Sequence, residues 1–271
     1  NASGYTYVQM HGSVVLERFD KLPRTRGWSK EMKNHRQLKN QLSPSLAKVL
    51  KRLHYPIDVI LVTVRWYIAY SLSLRNLEEM TLERGISVDH STIHRWVIKL
   101  VPLFEKIFRK HKRPVGISWR MDETYISIKG EWKYLYRAGD KAGKTIDYLL
   151  TAKRDKAAAL RFFNRAIRQN GAPKRINIDK SGANLAALHD INAQRESAIK
   201  IRQIKHLNNI IEQDHRFIKR IIRPMLGFKN FCYAKIILSG IEIMRMIKKG
   251  QLRCPGKTTS SPAQQFYSLV A

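Results

Sequence analysis

In a chain of 271 residues with 51 Lys+Arg against 21 Asp+Glu, each acid can be weighed singly. Three positions stand where chemistry is commonly done. Asp122, or its neighbour Glu123, falls inside an aromatic, β-branched run. Asp179 closes the short alternating run "RINID" (175–179), just ahead of Lys180. Glu212 lies in the helical stretch "NNIIEQDHRFIKRII" (208–222). Carboxylates gathered without a counter-charge repel, by about 4 kcal/mol per pair at about 4 Å and an effective dielectric near 20. Lys180 or Arg120 could neutralise such a set as a structural ion-pair network. A hard divalent cation could do the same. Mg²⁺ takes carboxylate oxygens, keeps several waters and leaves positions for phosphate oxygens. Two such ions clamp the attacking and leaving oxygens of a phosphodiester displacement.

On the 208–222 helix, Ile210, Ile211, Phe217, Ile218, Ile221 and Ile222 define a core side. At about 100° per residue, Glu212, Arg216, Lys219 and Arg223 fall together on the other side. That grouping is either a surface ion-pair cluster or a metal ligand beside a phosphate-binding row. Asp214 sits at the centre of the apolar stripe. It is expected to be structural, bonded to a basic group or a backbone amide, with a second role as understudy to Glu212. Asp122 and Glu123 are adjacent, so on a strand they point to opposite faces. The run 117–128 is apolar on both faces, and periodicity does not choose between them.

Other chemistries find little support. There is no G-x-S-x-G and no G-x-x-x-x-G-K-[ST]. The 9 His show no tight metal spacing. Cys232 and Cys254 make neither a disulfide framework nor a zinc pair, which fits a reducing cytoplasm.

The acids need a scaffold to bring them together. After "HKRPVG" (111–116) breaks a helical region, the period changes. Runs 117–128, 131–139 and 144–152 read as strands joined at Lys129-Gly130 and Lys141-Ala142-Gly143. Helix 155–171, strand 175–179, helix 184–194, strand 198–204 and helix 208–222 follow, then a helix over about 234–249. Residues 251–271 read as a polar, partly mobile tail. Residues 1–50 are mixed and basic, an N-terminal extension without a legible role. The chain begins with Asn1 rather than Met, so its true start is expected to lie upstream.

Upstream of the strands, residues 51–110 read as helices. Leu74, Leu77 and Leu82 anchor one, Gly85 suits its end, and Asp89 suits the cap of the next. Ile93, Trp96, Val97 and Leu100 then fall at i, i+3, i+4 and i+7, one buried stripe. The opposite face shows Ser91, Thr92, His94, Arg95 and Lys99. A short turn between two helices, the second polar and basic, is the helix-turn-helix arrangement that places side chains against DNA. The net charge of +30 favours a polyanion such as nucleic acid. The apolar stretch 55–74 is interrupted by Asp58 and Arg65, so a buried helix is expected there and no membrane span.

The segments "DHSTIHRWV", "MDETYISIKGEWKYLYRAGD", "NIDK" and "HLNNIIEQDHRFIKRII", followed by "GFKN", resemble the DDE-type transposases of bacterial insertion sequences, in the group called the IS-six family. The likeness runs from about Tyr55 to Gln251. It implies an α/β fold: a ribonuclease-H-like catalytic domain over 115–250, a mixed sheet flanked by helices, preceded by the all-α helix-turn-helix domain at 51–110. It also selects Asp122 over Glu123. Asp122, Asp179 and Glu212 become the catalytic and metal-holding triad, with Lys219 as the basic residue seven positions after the Glu. Between Asp179 and Glu212 lie two residues fewer than is usual in the family, with the shortening near 188–198. The implied reaction is cleavage at element ends and strand transfer of the 3′-hydroxyl, with two Mg²⁺ ions or Mn²⁺ in their place. Arg216 and Arg223 would position phosphates. Ser91, Thr92, His94, Arg95 and Lys99 would bind the terminal inverted repeats. A homodimer or higher oligomer is implied, acting in the bacterial cytoplasm on nucleoid DNA. The alternative is a catalytically inactive, transposase-derived DNA-binding protein.

Overall fold

The computed structural model describes residues 5–10, 13–18, 44–51, 53–204, 208–253 and 260–270. Strands β1 (Tyr5–Met10) and β2 (Ser13–Arg18) form an antiparallel pair within the N-terminal stretch. Helix α1 (Pro44–Leu50) follows, and its Leu46 and Leu50 are buried.

Three helices come next: α2 (Ile57–Ala69), α3 (Leu74–Leu82) and α4 (His90–His111). The local signals act as expected. Ser73 and Asn76 form a capping box at the start of α3. Gly85 adopts φ +73° in the turn, where a side chain would be strained. Asp89 caps α4 by accepting from the Ser91 amide at 2.8 Å. Ile93, Trp96, Val97 and Leu100 are all buried. Among the described residues, no helix is long and apolar enough to cross a membrane.

The sheet is built from β3 (Ser118–Ile128), β4 (Glu131–Asp140), β5 (Thr145–Thr151), β6 (Arg175–Asn177) and β7 (Lys200–Arg202), in the order β5-β4-β3-β6-β7. The first three are antiparallel hairpins; β6 and β7 add in parallel beside β3. Helices α5 (Lys156–Asn170) and α6 (Gly182–Ala193) make the crossovers. Their Phe162, Phe163, Ala187 and Leu188 cover one face of the sheet, over Trp119, Met121, Tyr136 and Ile176. Helices α7 (Asn209–Ile222) and α8 (Phe231–Lys248) cover the other. This mixed sheet with helices on both faces is the ribonuclease-H-like arrangement.

The second face does not end at the five-stranded sheet. Ile126, Leu135 and Leu150 share one continuous apolar cluster with α2, α4, α7 and α8. Gly240 makes this possible: a Cβ there would meet Ile68 at 2.8 Å and Val101 at 3.2 Å, so only glycine lets α8 lie this close to α2 and α4. Polar contacts fasten the same junction. Glu105 of α4 accepts from Tyr148 of β5 at 3.1 Å and from Ser239 of α8 at 2.5 Å.

The expectation of a polar, partly mobile tail is corrected. Helix α9 (Pro262–Tyr267) carries a capping box between Ser261 and Gln264. Phe266 packs edge-on to Phe104 at 5.1 Å, and Leu269 and Val270 are buried with it. Burial of such side chains is worth about 1.5–3 kcal/mol each, enough to dock a short helix. Cys254 lies outside the described residues, and Cys232 is a free, exposed thiol.

Candidate active site

The register of β3 and β6 fixes where two of the acids emerge. Arg120 pairs with Asn177, so Asp122 and Asp179 each lie two residues beyond a paired position. Both therefore lie at the same level, Asp122 within β3 and Asp179 just past the end of the neighbouring parallel β6. Glu212 lies in the first turn of α7, and the start of that helix is tied to both strands. Asn208 donates to the Met121 carbonyl at 3.3 Å and accepts from Asn177 at 2.8 Å. Asn177 also accepts from the Ile204 amide at 3.2 Å.

Carboxylate oxygens of Asp122, Glu123 and Asp179 lie within 4.8 Å of one another. The trio is half-shielded from water. Burial pushes the Asp122 carboxyl up to about 7, and Glu123, Asp179 and Glu212 add to that by repulsion. Burial also raises Glu123. Asn184, in the first turn of α6, donates to Glu123 at 2.9 Å and to Asp179 at 3.2 Å. Asp179 further accepts from the Ser181 amide at 3.1 Å.

The counter-charge comes from neither Lys180 nor Arg120. Arg154, between β5 and α5, reaches Asp179 at 3.0 Å and Glu123 at 3.4 Å. On the other side, His215 Nδ1 stands 3.8 Å from Asp122. Burial, then the fields of Arg137 and Lys219, hold His215 down to about 3, so the ring is neutral at pH 7. Its Nε2 is buried without a hydrogen-bond partner among the described residues.

Glu212 stands outside the tight trio, although its charge is felt by Asp122. It is partly exposed and 3.9 Å from the largely exposed Arg216, a loose pair of little energetic weight. Lys219 and Arg223 are exposed on the same side of α7, as the helical phase requires, and both line a cavity of about 880 Å³. Asp214 is buried and structural. Arg137, Arg245 and Lys249 all bond it, the last two at 2.9 and 2.5 Å. Arg137 is itself fully buried and pairs with Glu242 at 2.7 Å, which locks α7 and α8 to β4. With three cations upon it, Asp214 has no capacity left to stand in for Glu212.

On α4, Ser91, Arg95 and Lys99 are exposed, while Thr92 and His94 are half-buried. Arg95 donates to the Thr92 hydroxyl at 2.8 Å. His94 turns its ring onto Tyr233 of α8 at 5.1 Å, and burial lowers its pKa.

Sequence reasoning passed over Arg154, Asn184, His215 and the Asn177–Asn208 pair. Only Asn184 left a local trace: five residues after Asp179 it falls in the first turn of the next helix, facing back to the strand end. The donor set is made of hard carboxylate oxygens, several of them partly desolvated and mutually repelling. That composition fits a hard divalent cation.

Comparison with known proteins gives the family. A family model described as a DDE domain matches residues 116–251. The transposase of the insertion sequence-like element IS431mec from Staphylococcus aureus is 38% identical over 219 residues, covering 79% of this chain and 95% of that protein. The transposase of IS257 in transposon Tn4003, also from Staphylococcus aureus, is 37% identical over the same shares. Among solved structures, the HTLV-2 integrase catalytic core domain in its dimeric form is 20% identical with a TM-score of 0.40, covering 57% of this chain and 99% of that one. The carboxylates gathered on β3 and just past the end of β6 are thus set within a chain that belongs to the DDE transposases of bacterial insertion sequences, in the IS-six family.

Proposed function

We propose that the chain cuts DNA at the ends of its insertion sequence and transfers the freed 3′-hydroxyl into target DNA. In this reading Asp122, Asp179 and Glu212 hold two Mg²⁺ ions, with Mn²⁺ able to replace them. One observation carries it: Asp122, within β3, and Asp179, just past the neighbouring parallel β6, bring carboxylate oxygens within 4.8 Å, with Glu212 close enough to perturb Asp122. Bound divalent ions supply Lewis-acid stabilisation of the phosphodiester displacement and lower the pKa of the attacking hydroxyl.

The protein's own residues do the rest. In cutting, a water oxygen bonds to phosphorus and the bond to the 3′-oxygen breaks, leaving a 3′-hydroxyl and a 5′-phosphate. In transfer, that 3′-oxygen attacks a target phosphorus and displaces the target's 3′-oxygen. Neither step forms a protein–DNA bond. Lys219 holds a phosphate beside the triad, with Arg216 and Arg223 along the same helix face. Arg154 compensates the charge of Asp179 and Glu123. Ser91, Thr92, Arg95 and Lys99 read the element's ends, and His94 sets the pose of that helix through Tyr233. Two ends must meet for the reaction, which calls for a homodimer or higher assembly. The work is done in the bacterial cytoplasm, on nucleoid DNA.

The test is strand cutting of duplexes bearing the element's ends, with Mg²⁺. Asp122→Asn, Asp179→Asn and Glu212→Gln should each abolish cutting while DNA binding persists. Glu123→Gln should leave measurable cutting. Full activity in any triad variant removes that residue from the triad. Loss in Glu123→Gln with retention in Glu212→Gln would move the third ligand from α7 to β3.

A further inference from the structure

His215 is a buried ring whose polar atoms nothing in the core answers. Its Nε2 has no hydrogen-bond partner among the described residues, and its Nδ1 stands 3.8 Å from Asp122 Oδ2, just beyond hydrogen-bond reach. A side chain needed only to fill space there would be better supplied by Leu or Phe, which bring no polar atom to satisfy. The imidazole therefore calls for a reason other than packing.

The fold aims the ring. Asp122 and Arg137 are directly paired across β3 and β4, so both side chains stand on the face that α7 covers. Arg137 bonds Asp214, the residue before His215. Two neighbours on the sheet thus meet two neighbours on the helix: Arg137 holds Asp214, and Asp122 faces His215. Arg245 and Lys249 grip Asp214 as well, at 2.9 and 2.5 Å, so this turn of α7 has little freedom to draw the ring away.

A neutral imidazole has one N–H and one lone pair to place. With the proton on Nε2, that N–H would be buried and unbonded, and the Nδ1 lone pair would face the lone pairs of a carboxylate. With the proton on Nδ1, it points at Asp122 Oδ2, and a movement of about 1 Å or less completes an ordinary hydrogen bond. A free imidazole favours the Nε2–H form, so the site selects the less common tautomer. A carboxylate oxygen that accepts such a bond is fixed in direction, and its twin is left to a cation.

We propose that His215 is a positioning residue: its Nδ1–H donates to Asp122 Oδ2 and leaves Oδ1 to the divalent ion. The assignment rests on the reading above that Asp122 holds that ion. Direct ligation of the ion by His215 is the competing role, but a hard cation such as Mg²⁺ takes oxygen ligands, and Nε2 is enclosed.

Two measurements on the full chain, without DNA, test this. In metal-free protein labelled with ¹⁵N-histidine, two-bond ¹H–¹⁵N correlation spectra report which nitrogen carries the proton. The His215 signal, identified by its loss in His215→Asn, should show the Nδ1–H tautomer. Mn²⁺ titration followed by electron paramagnetic resonance reads the affinity for the ion. His215→Leu should weaken Mn²⁺ binding about 10–100-fold, with an unfolding temperature in EDTA at or above that of wild type, because no polar atom is stranded. His215→Asn, whose side-chain amide takes the place of Nδ1–H, should restore most of the affinity. An Nε2–H tautomer overturns the proposal. So does unchanged Mn²⁺ affinity in His215→Leu, and so does an equal loss in the Leu and Asn variants, which would make the ring itself the ligand. If Asp122→Asn binds Mn²⁺ like wild type, the catalytic reading fails instead, and the tautomer still decides whether His215 donates to Asp122.

Discussion

Asn177 donates its side-chain amide to the Asn208 carbonyl oxygen at 2.8 Å, across the seam between β6 and the start of α7. Asn177 precedes Asp179 by two residues, and Asn208 precedes Glu212 by four. Asn208 also donates to the backbone of Met121, the neighbour of Asp122. One buried amide therefore touches all three elements that carry the proposed triad.

Asn208→Ala should damage catalysis more than folding. Loss of its bonds takes one acceptor from the Asn177 amide, which keeps Ile204, and the side-chain donor from the Met121 carbonyl, at a cost of about 1–3 kcal/mol. A displacement of about 1 Å at the acids should slow strand cutting on the order of 100-fold. Single-turnover cutting and thermal unfolding on the same variant decide it. Wild-type cutting would show that α7 is held by other means.

Asp122 and His215 should respond to pH in opposite directions. The Asp122 carboxyl is raised from 3.8 to about 7, so its contribution to stability is present at low pH and lost as pH rises through about 7. The His215 ring is lowered from 6.5 to about 3, so its contribution is present above 6.5 and lost as pH falls below it. Without divalent ions the two slopes oppose each other between 3.8 and 6.5. Asp122→Asn leaves His215 unopposed. Acidification from pH 6.5 to about 5 should then cost about 2 kcal/mol more than in wild type, seen as a steeper fall in Tm. Superimposable Tm–pH curves would contradict this.

Arg137→Met should be the most destabilising of these single changes. It strands Glu242, which is fully buried, and removes one of three cations from Asp214. Breaking a buried pair this way costs about 3–5 kcal/mol. Adding Glu242→Leu should recover part of the loss, because the orphaned charge goes too. A double variant less stable than Arg137→Met would count against the account.

Arg95→Ala should weaken discrimination for the element's own ends more than affinity for unrelated DNA. Equal losses on both would make Arg95 a phosphate contact. For the intact chain, if about 6–10 phosphates are neutralised, affinity should fall roughly 10³–10⁵-fold between about 50 and 200 mM salt. A flat response would contradict an electrostatic interface.

Much of this architecture was legible because its signals are local. Turn glycines, the Asp89 cap and the stripe through Ile93 and Leu100 each depend on neighbours a few residues away. The core phase of α7 placed Glu212, Lys219 and Arg223 on one side before any coordinates. What stayed hidden arises only in three dimensions. Arg154 reaches Asp179 from another loop, and nothing in its sequence surroundings marks it among the other basic residues. His215 looks like any helical histidine until the sheet buries it beside Asp122. The docked end of the chain was misjudged because Phe266, Leu269 and Val270 are too few to form a pattern, yet they fill a gap against Phe104.

Helix α4 spans both halves of the molecule: its first turns carry Ser91 and Arg95, and Glu105 is bonded to β5 and α8. From Ser91 to Glu105 the axis runs about 21 Å at helical rise. Such a strut, glued into a common interior at one end, works as a measuring rod. In the proposed reading it holds the residues that meet the element's ends at a set distance from the sheet that carries the carboxylates. In that reading, lengthening the spacer between recognised sequence and cleavage point by half a helical turn of DNA would present the wrong side of the duplex. The position of the cut would then be written into the length of a helix.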